Sequence, residues 1–469
     1  MFRVSKYITR GASYLEGILD KKLIRKDIFK IANPVFIELI MGTLFGMVDM
    51  MMLGRYGGPD ISTASIAAVG ITNQLIFIGL SLVQSLNVGA TAMVARYMGA
   101  KREDRIESVV KHIIFLTQVF LVLPILFLGL FKAQMMMEFF GAEADTISIG
   151  IDYFKIVTLG FIFQAFNFSL FASLRGAGNT TTPMKINVWV NLLNVFGNAI
   201  LIFGLLGFPA LGITGAGIST TLSQVAASVL LVIYLLKTKG VISLNLKTKF
   251  KFDKDIIYNL VKIGIPASLE QIAFRLGILI FAKLIASLGT AAYATHQISI
   301  NILNLSFTPG QAFGIAGSTL TGRSLGAQKP DLAEVYIKQS NRIGAVIAAL
   351  MGFLFFFFGE TVISLYTDNP QVIAEGSKIL KLMAFIMPFQ TSQMIVAGGL
   401  RGAGDTVWTL VSTLVGVLII RLILSYYFVM VLGIGLFGAW LAVLIDQFMR
   451  WVFIALRFKT NKWKFIIIR

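Results

Sequence analysis

Apolar residues along this chain gather into long runs, at roughly 31–55, 66–92, 111–131, 147–171, 184–206 and 211–236. After a polar stretch they resume at 256–285, 291–320, 342–366, 375–398, 406–430 and 433–457. Each run has about the length a helix needs to cross a hydrocarbon core roughly 30 Å thick. Helices satisfy every backbone N–H and C=O internally, as lipid demands, and the alternating ten-residue segments of a membrane barrel are missing. The pattern predicts an all-α polytopic membrane protein with 12 transmembrane helices.

Composition points the same way. Of 469 residues, 56% are hydrophobic and only 14% charged, and the mean hydropathy of +0.80 leaves too little polar surface for a soluble fold. With no Cys, disulfides and thiol chemistry are excluded. With only His112 and His296, no multi-histidine metal site can be assembled.

The net charge of +18 is informative through its placement. Lys and Arg collect before the first run, around Arg96–Lys111, at Arg175 and Lys185, from Lys237 to Lys262, around Arg323–Arg342, at Arg401 and after Arg450. These are the chain ends and every second connection, so the positive-inside rule puts both termini and the even loops in the cytoplasm. The charge thus reads as topology, and no nucleic-acid partner is expected; the bilayer is the expected surroundings. Residues 1–30 mix Phe2, Tyr7, Ile8, Leu15, Ile18 and Leu19 with basic residues, which predicts a cytoplasmic interfacial amphipathic segment. The expected organisation is a six-helix half over 31–236, a cytoplasmic linker over 237–255, a second half over 256–457 and a basic tail over 458–469.

An internal repeat supports the two halves. LRGAGNT at 174–180 recurs as LRGAGDT at 400–406, an offset of 226 that also carries Gln164 onto Gln390. Pro34 and Glu38 recur as Pro266 and Glu270, and Arg96, Gly99, Ala100 and Asp104 as Arg323, Gly326, Ala327 and Asp331. An even number of helices per half makes the repeats parallel, giving two six-helix bundles related by a pseudo-twofold axis along the membrane normal. Such duplication favours a carrier over a pore.

Pro34 followed by GMVDMMMLGRYG (46–57), the paired LRGAG, and NVFGNAILIFG (194–204) leading into ITGAGISTT (213–221) resemble multidrug and toxic compound extrusion transporters of the bacterial and archaeal type. The resemblance covers nearly the whole chain. It implies a secondary antiporter in the prokaryotic cytoplasmic membrane, exporting bulky, often cationic, drug-like compounds in exchange for H⁺ or Na⁺. It implies no other cofactor and no obligatory protein partner, so a monomer could hold the whole pathway.

Intramembrane polar residues are the candidates for that chemistry, since a buried carboxylate costs about 2.5–3.5 kcal/mol on insertion scales. Asp49 lies among Met47, Val48 and Met50 to Met52. The resemblance carries the family's first-helix aspartate onto it, with Na⁺ a candidate ligand and no other metal expected. Glu38, eleven residues earlier, falls about 16 Å along the axis and about 20° around it, on the same stripe. Asn187, Asn191, Asn194 and Asn198 share one face of the fifth helix. The family often has aspartate where Asn198 stands; an amide can coordinate Na⁺ but cannot carry a proton. Asp49, Asn194, Asn198 and Thr220 form the expected cation-coupling cluster. Glu38, Glu270, Gln164, Gln390, Asn187 and Asn191 are expected in coupling, gating or substrate contact. Asp446 and Arg450, four residues apart, are expected to pair, and Arg421 to balance a buried acid.

Two enzyme-like motifs fail. GRSLG (322–326) has no His after it, and GITGAG (212–217) opens a membrane helix with no strand before it. A membrane-embedded enzyme or receptor is a third reading, and an enzyme would need paired catalytic acids or a metal site, neither of which the sequence offers. A flippase or exporter for a lipid-linked or other specific metabolite remains the alternative, against which the scarcity of intramembrane Lys and Arg counts.

Overall fold

The computed structural model describes residues 21–57, 59–237, 242 and 250–468. Six long helices form the first half: α1 (Lys21–Gly54), α2 (Pro59–Gly99), α3 (Glu103–Phe131), α4 (Ala144–Gly176), α5 (Thr181–Phe203) and α6 (Gly212–Lys237). Six form the second: α7 (Lys254–Ala286), α8 (Thr290–Gly326), α9 (Pro330–Ser364), α10 (Pro370–Gly402), α11 (Thr406–Val431) and α12 (Gly435–Lys459). Ten of the twelve are long and apolar enough to cross a membrane by length and composition. Of the other two, α7 carries Glu270, Arg275 and Lys283 and α8 many Ser, Thr, Asn and Gln residues. Most helices outrun the apolar runs that predicted them, because hydropathy registers only the part suited to lipid while backbone hydrogen bonding continues into polar turns.

The boundary predicted at residue 30 falls inside α1. Ile24, Ile28 and Ile31 form an apolar stripe at helical spacing, buried with Phe313, Leu320 and Val335. The rest of the predicted interfacial segment, residues 1–20, lies outside the described residues, as does most of the linker. At the other end, the chain after α12 folds back. Trp463 is fully buried and stacked on Phe458, and the Lys464 ammonium bonds Asp331 and Glu334.

Internal contacts divide the chain into two units, one of Ile37–Val94 and Arg102–Val261, the other of the chain up to Phe36, Ala95–Lys101 and Lys262–Arg469. In the first, α6 packs along α4 and α5 around Phe154, Phe161, Ile202 and Ile213. In the second, α10 is central, packing on α8, α9 and α12 over Met383, Met387 and Trp440. Small residues let those backbones meet: a Cβ on Gly398 would lie 2.3 Å from the Gly314 carbonyl oxygen.

The repeated LRGAG motif has a physical reason at four of its five positions. Leu174 and Leu400 are buried. The first glycine permits close helix contact, since a Cβ on Gly176 would stand 2.7 Å from the Thr91 carbonyl oxygen and one on Gly402 2.1 Å from that of Ser318. The second glycine, Gly178 or Gly404, turns the chain out of the helix at φ of +85° or +88°, where a side chain is strained. The arginine holds a buried acid, described next.

Candidate functional site

Asp49 sits one and a half turns from the end of α1, on a stretch where Leu44, Met47, Met50 and Met51 are exposed. Its carboxylate faces α5. Asn198 donates from Nδ2 to Asp49 Oδ1 at 2.8 Å. Asn194, one turn earlier on the same face, satisfies its surroundings with its amide nitrogen 3.0 and 3.2 Å from the two Asp49 oxygens and its amide oxygen 3.2 Å from Thr220 Oγ1. Ser219 Oγ closes the group by donating to the Asn194 carbonyl oxygen at 2.9 Å. The structure therefore brings Asp49, Asn194, Asn198 and Thr220 together from α1, α5 and α6.

Two amides donating to one carboxylate suit its ionised form. Asn198 Oδ1 is buried and has no hydrogen-bond partner among the described residues. A monovalent cation could find oxygens on Asp49, Asn198 and Thr220, and on Asn194 if its amide turned over. A proton would need only Asp49. Among the described residues no three His, Asp or Glu side chains gather as a metal site.

Glu38 belongs to a separate group. Arg175, from the first LRGAG, donates to Glu38 Oε1 at 2.7 Å, and Asn187 donates to the same oxygen. The second half repeats the arrangement. Arg401 donates to Glu270 Oε1 at 2.6 Å, and Thr409 and Thr413 donate to the Glu270 carboxylate at 2.7 and 3.3 Å. Thr413 is the repeat-mate of Asn187 at the motif's own offset of 226. Each half thus ties its first helix to the end of its fourth through a buried Glu–Arg pair. Reading Arg175 and Arg401 only as loop charges missed this; the signal was that the acid and the arginine both recur at nearly one offset.

The remaining candidates are dispersed. Gln390 is buried on α10, its Oε1 without a partner among the described residues. Gln164 on α4 and Asn191 on α5 are half-buried and join neither group. The expected Asp446–Arg450 pair is corrected. Asp446 pairs with Arg421 of α11, whose Nε lies 3.0 Å from Oδ2, while Arg450 donates to Thr413 Oγ1 at 3.1 Å. His296 packs edge-on to Phe281, and its Nδ1 has no partner among the described residues.

Comparison with known proteins covers both halves. The MatE family model matches residues 34–200 and 266–427. A probable multidrug resistance protein NorM of Thermotoga maritima is 29% identical over 94% of this chain and 93% of its own length. An uncharacterized transporter, YisQ, of Bacillus subtilis is 28% identical over 93% of this chain and 94% of its own. Among solved structures, MATE in the bent conformation superposes with a TM-score of 0.86 at 22% identity, covering 94% of this chain and 96% of that one. A MOP superfamily transporter from Pyrococcus furiosus, described as having a binding pocket of reverse polarity, gives 0.83 at 24% identity, covering 94% and 97%.

Proposed function

The chain belongs to the MatE family, so it is a multi-pass membrane transporter and not an enzyme, and we propose that it is an antiporter exporting bulky, cationic organic compounds in exchange for H⁺ or Na⁺. The observation that carries this reading is the Asp49 cluster: one carboxylate within a membrane helix, held by two amides beside an acceptor that is unpartnered among the described residues. Such a group can be neutralised reversibly by one small cation. The names of the NorM relatives support the drug-like substrate, and the basic connections support cytoplasmic termini in the inner membrane.

The cycle follows from differential affinity. Facing outside, the cluster takes a cation, which disfavours the cationic compound and releases it; facing inside, it loses the cation and accepts the compound. Neither ligand drives the switch except through its different affinity for the two states. A potential of about 100 mV supplies roughly 2.3 kcal/mol per charge. A tenfold cation gradient adds about 1.4 kcal/mol. One cation thus sustains a several-hundred-fold gradient of a neutral compound. For a monovalent cationic compound exchanged one for one the voltage contribution cancels, and about tenfold remains. A single chain contains the whole cluster, so exchange needs no partner subunit.

The test is efflux of a fluorescent cationic dye from energised vesicles, with and without Na⁺ and with a protonophore, for wild type and D49N. The expected result is loss of coupled transport in D49N with dye binding retained, the ion dependence of wild type naming the partner. Ion-coupled efflux undiminished in D49N overturns the assignment.

A further inference from the structure

The two halves share a plan, so the Asp49 cluster has a counterpart in the second half, and its contents differ. From Pro34/Pro266 and Glu38/Glu270, Asp49 maps onto Phe281. Along α5 and α11 the motif's offset holds to Asn187/Thr413, both bonded to the acid of their half. From Leu414 to Arg421 α11 is then π-helical, whereas α5 is α-helical throughout. A π turn takes in one extra residue, so beyond it Asn194 and Asn198 map onto Arg421 and Ser425. In the sixth helices Gly212 and Gly435, both at positive φ, align with Gly215/Gly438, Ala216/Ala439 and Gln224/Gln447, which carries Thr220 onto Val443.

The contacts agree with this register. Asn194 meets Asp49 in the first half; its mate Arg421 lies over the ring of Phe281, the mate of Asp49, at 5.8 Å. Phe281, Arg421, Ser425 and Val443 are all buried. Where the first half offers one carboxylate and neutral oxygens, the second holds an arginine against phenylalanine. The Arg421 guanidinium bonds Asp446, one turn beyond Val443, whose carboxylate is fully buried with Oδ1 unpartnered among the described residues. The surrounding charged and titratable groups are Arg450, packed with Asp446 against Gly416, and His296 against Phe281.

We propose that Arg421 is a tethered cation occupying the second half's counterpart of the Asp49 site, so each chain carries one exchangeable cation site and not two. The first cluster has a net negative charge and becomes neutral only by taking a cation from solution. In its counterpart the attached Arg421 already balances Asp446 and Arg450 stands beside them, so no net negative charge is left for a cation from solution. The duplication therefore yields one site that loads and unloads beside one that is permanently filled, and Arg421 sets the coupling stoichiometry. The inference rests on the antiport reading above.

The experiment is displacement of the cationic dye from purified protein by Na⁺, at constant ionic strength with choline, and separately by H⁺. Wild type should show displacement by at least one of these ions with a slope of one in log cation concentration. D49N should bind dye that neither ion displaces. Moving the site, as D49N/F281D/R421N, should restore displacement with a slope of one. A wild-type slope near two, displacement persisting in D49N, or a folded, dye-binding triple variant that stays insensitive overturns the tethered-cation inference while leaving antiport standing. Wild-type protein from which neither ion displaces dye overturns the antiport reading, and this inference with it. Should the triple variant fail to fold, the wild-type and D49N slopes decide the matter.

Discussion

The Glu270–Arg401 pair separates a structural acid from a coupling acid by an asymmetry of cost. The Glu270 side chain is 4% exposed and that of Arg401 26%. Replacing Arg401 with Met leaves a buried carboxylate without its bonded cation, held by the Thr409 and Thr413 hydroxyls with Arg450 one bond further away. Breaking a buried pair in this way costs 3–5 kcal/mol, and the partial exposure of Arg401 places the loss at the lower end, about 3 kcal/mol. Glu270→Gln keeps an acceptor for Thr409 and frees an arginine that can still reach water, so its cost is about 1–2 kcal/mol. The double variant E270Q/R401M strands no charge and should melt no lower than R401M alone, giving a coupling of about 1–2 kcal/mol in a double-mutant cycle. Melting temperature and monodispersity of the four proteins supply the ranking, and dye efflux under Na⁺ or H⁺ gradients supplies the function. E270Q is expected to retain ion-coupled efflux. An E270Q protein that melts like wild type yet has lost ion dependence would refute the structural role and make Glu270 a coupling acid.

Further expectations rest on other contacts. Gly402→Ala should lower the melting temperature more than Gly178→Ala, because its Cβ meets the Ser318 carbonyl oxygen at 2.1 Å while that of Gly178 meets nothing within 4 Å and carries only the strain of φ +85°; equal losses would contradict this. Asn198→Asp adds a second carboxylate to the Asp49 cluster, so displacement of dye should need roughly tenfold less cation, read as a shifted midpoint. Between α10 and α11, burial holds the Asp405 carboxyl above the usual carboxylate range despite the opposing bond from Arg457. A raised folded value means the proton is held more tightly in the folded state, so the penalty is present above the folded value and fades as pH falls through it. The stability difference between D405N and wild type, followed by melting from pH 8 to 4, should therefore move against D405N as pH falls; movement the other way would reject the assignment.

The helices were legible because lipid imposes a length and a composition, and the duplication was legible because LRGAG answers four physical demands at once. What stayed hidden is what a fixed offset or a local spacing cannot express. Asp446 and Arg450 stand four apart on one helix, yet Asp446 takes its partner from α11, where Arg421 is brought alongside by packing. Arg175 and Arg401 read as loop charges because they follow apolar runs, although each is drawn back against an acid on its half's first helix. The equivalence of Asn194 with Arg421 was invisible for a further reason. The π-helical stretch Leu414–Arg421 takes in one residue, so the offset that aligns the motif fails one turn too early for the cluster.

That extra residue bears on how the halves diverged. On α5 the α-helical register sets Asn194 and Asn198 toward Asp49. On an uninterrupted α11, position 421 would be rotated by about 100° from its present face. The guanidinium would then leave Phe281 and Asp446. Arginine at this position and the π turn before it thus require each other. Deleting one residue within Leu414–Ile420 removes the extra residue together with the π turn, so Arg421 should keep its face, and the variant should melt well above Arg421→Met. Combining the deletion with Arg421→Met should then cost about the sum of the two changes, because the deletion leaves the Arg421 contacts in place. A deletion variant that melts as low as Arg421→Met, with no further loss on combining the two, would show that the extra residue does not set this register.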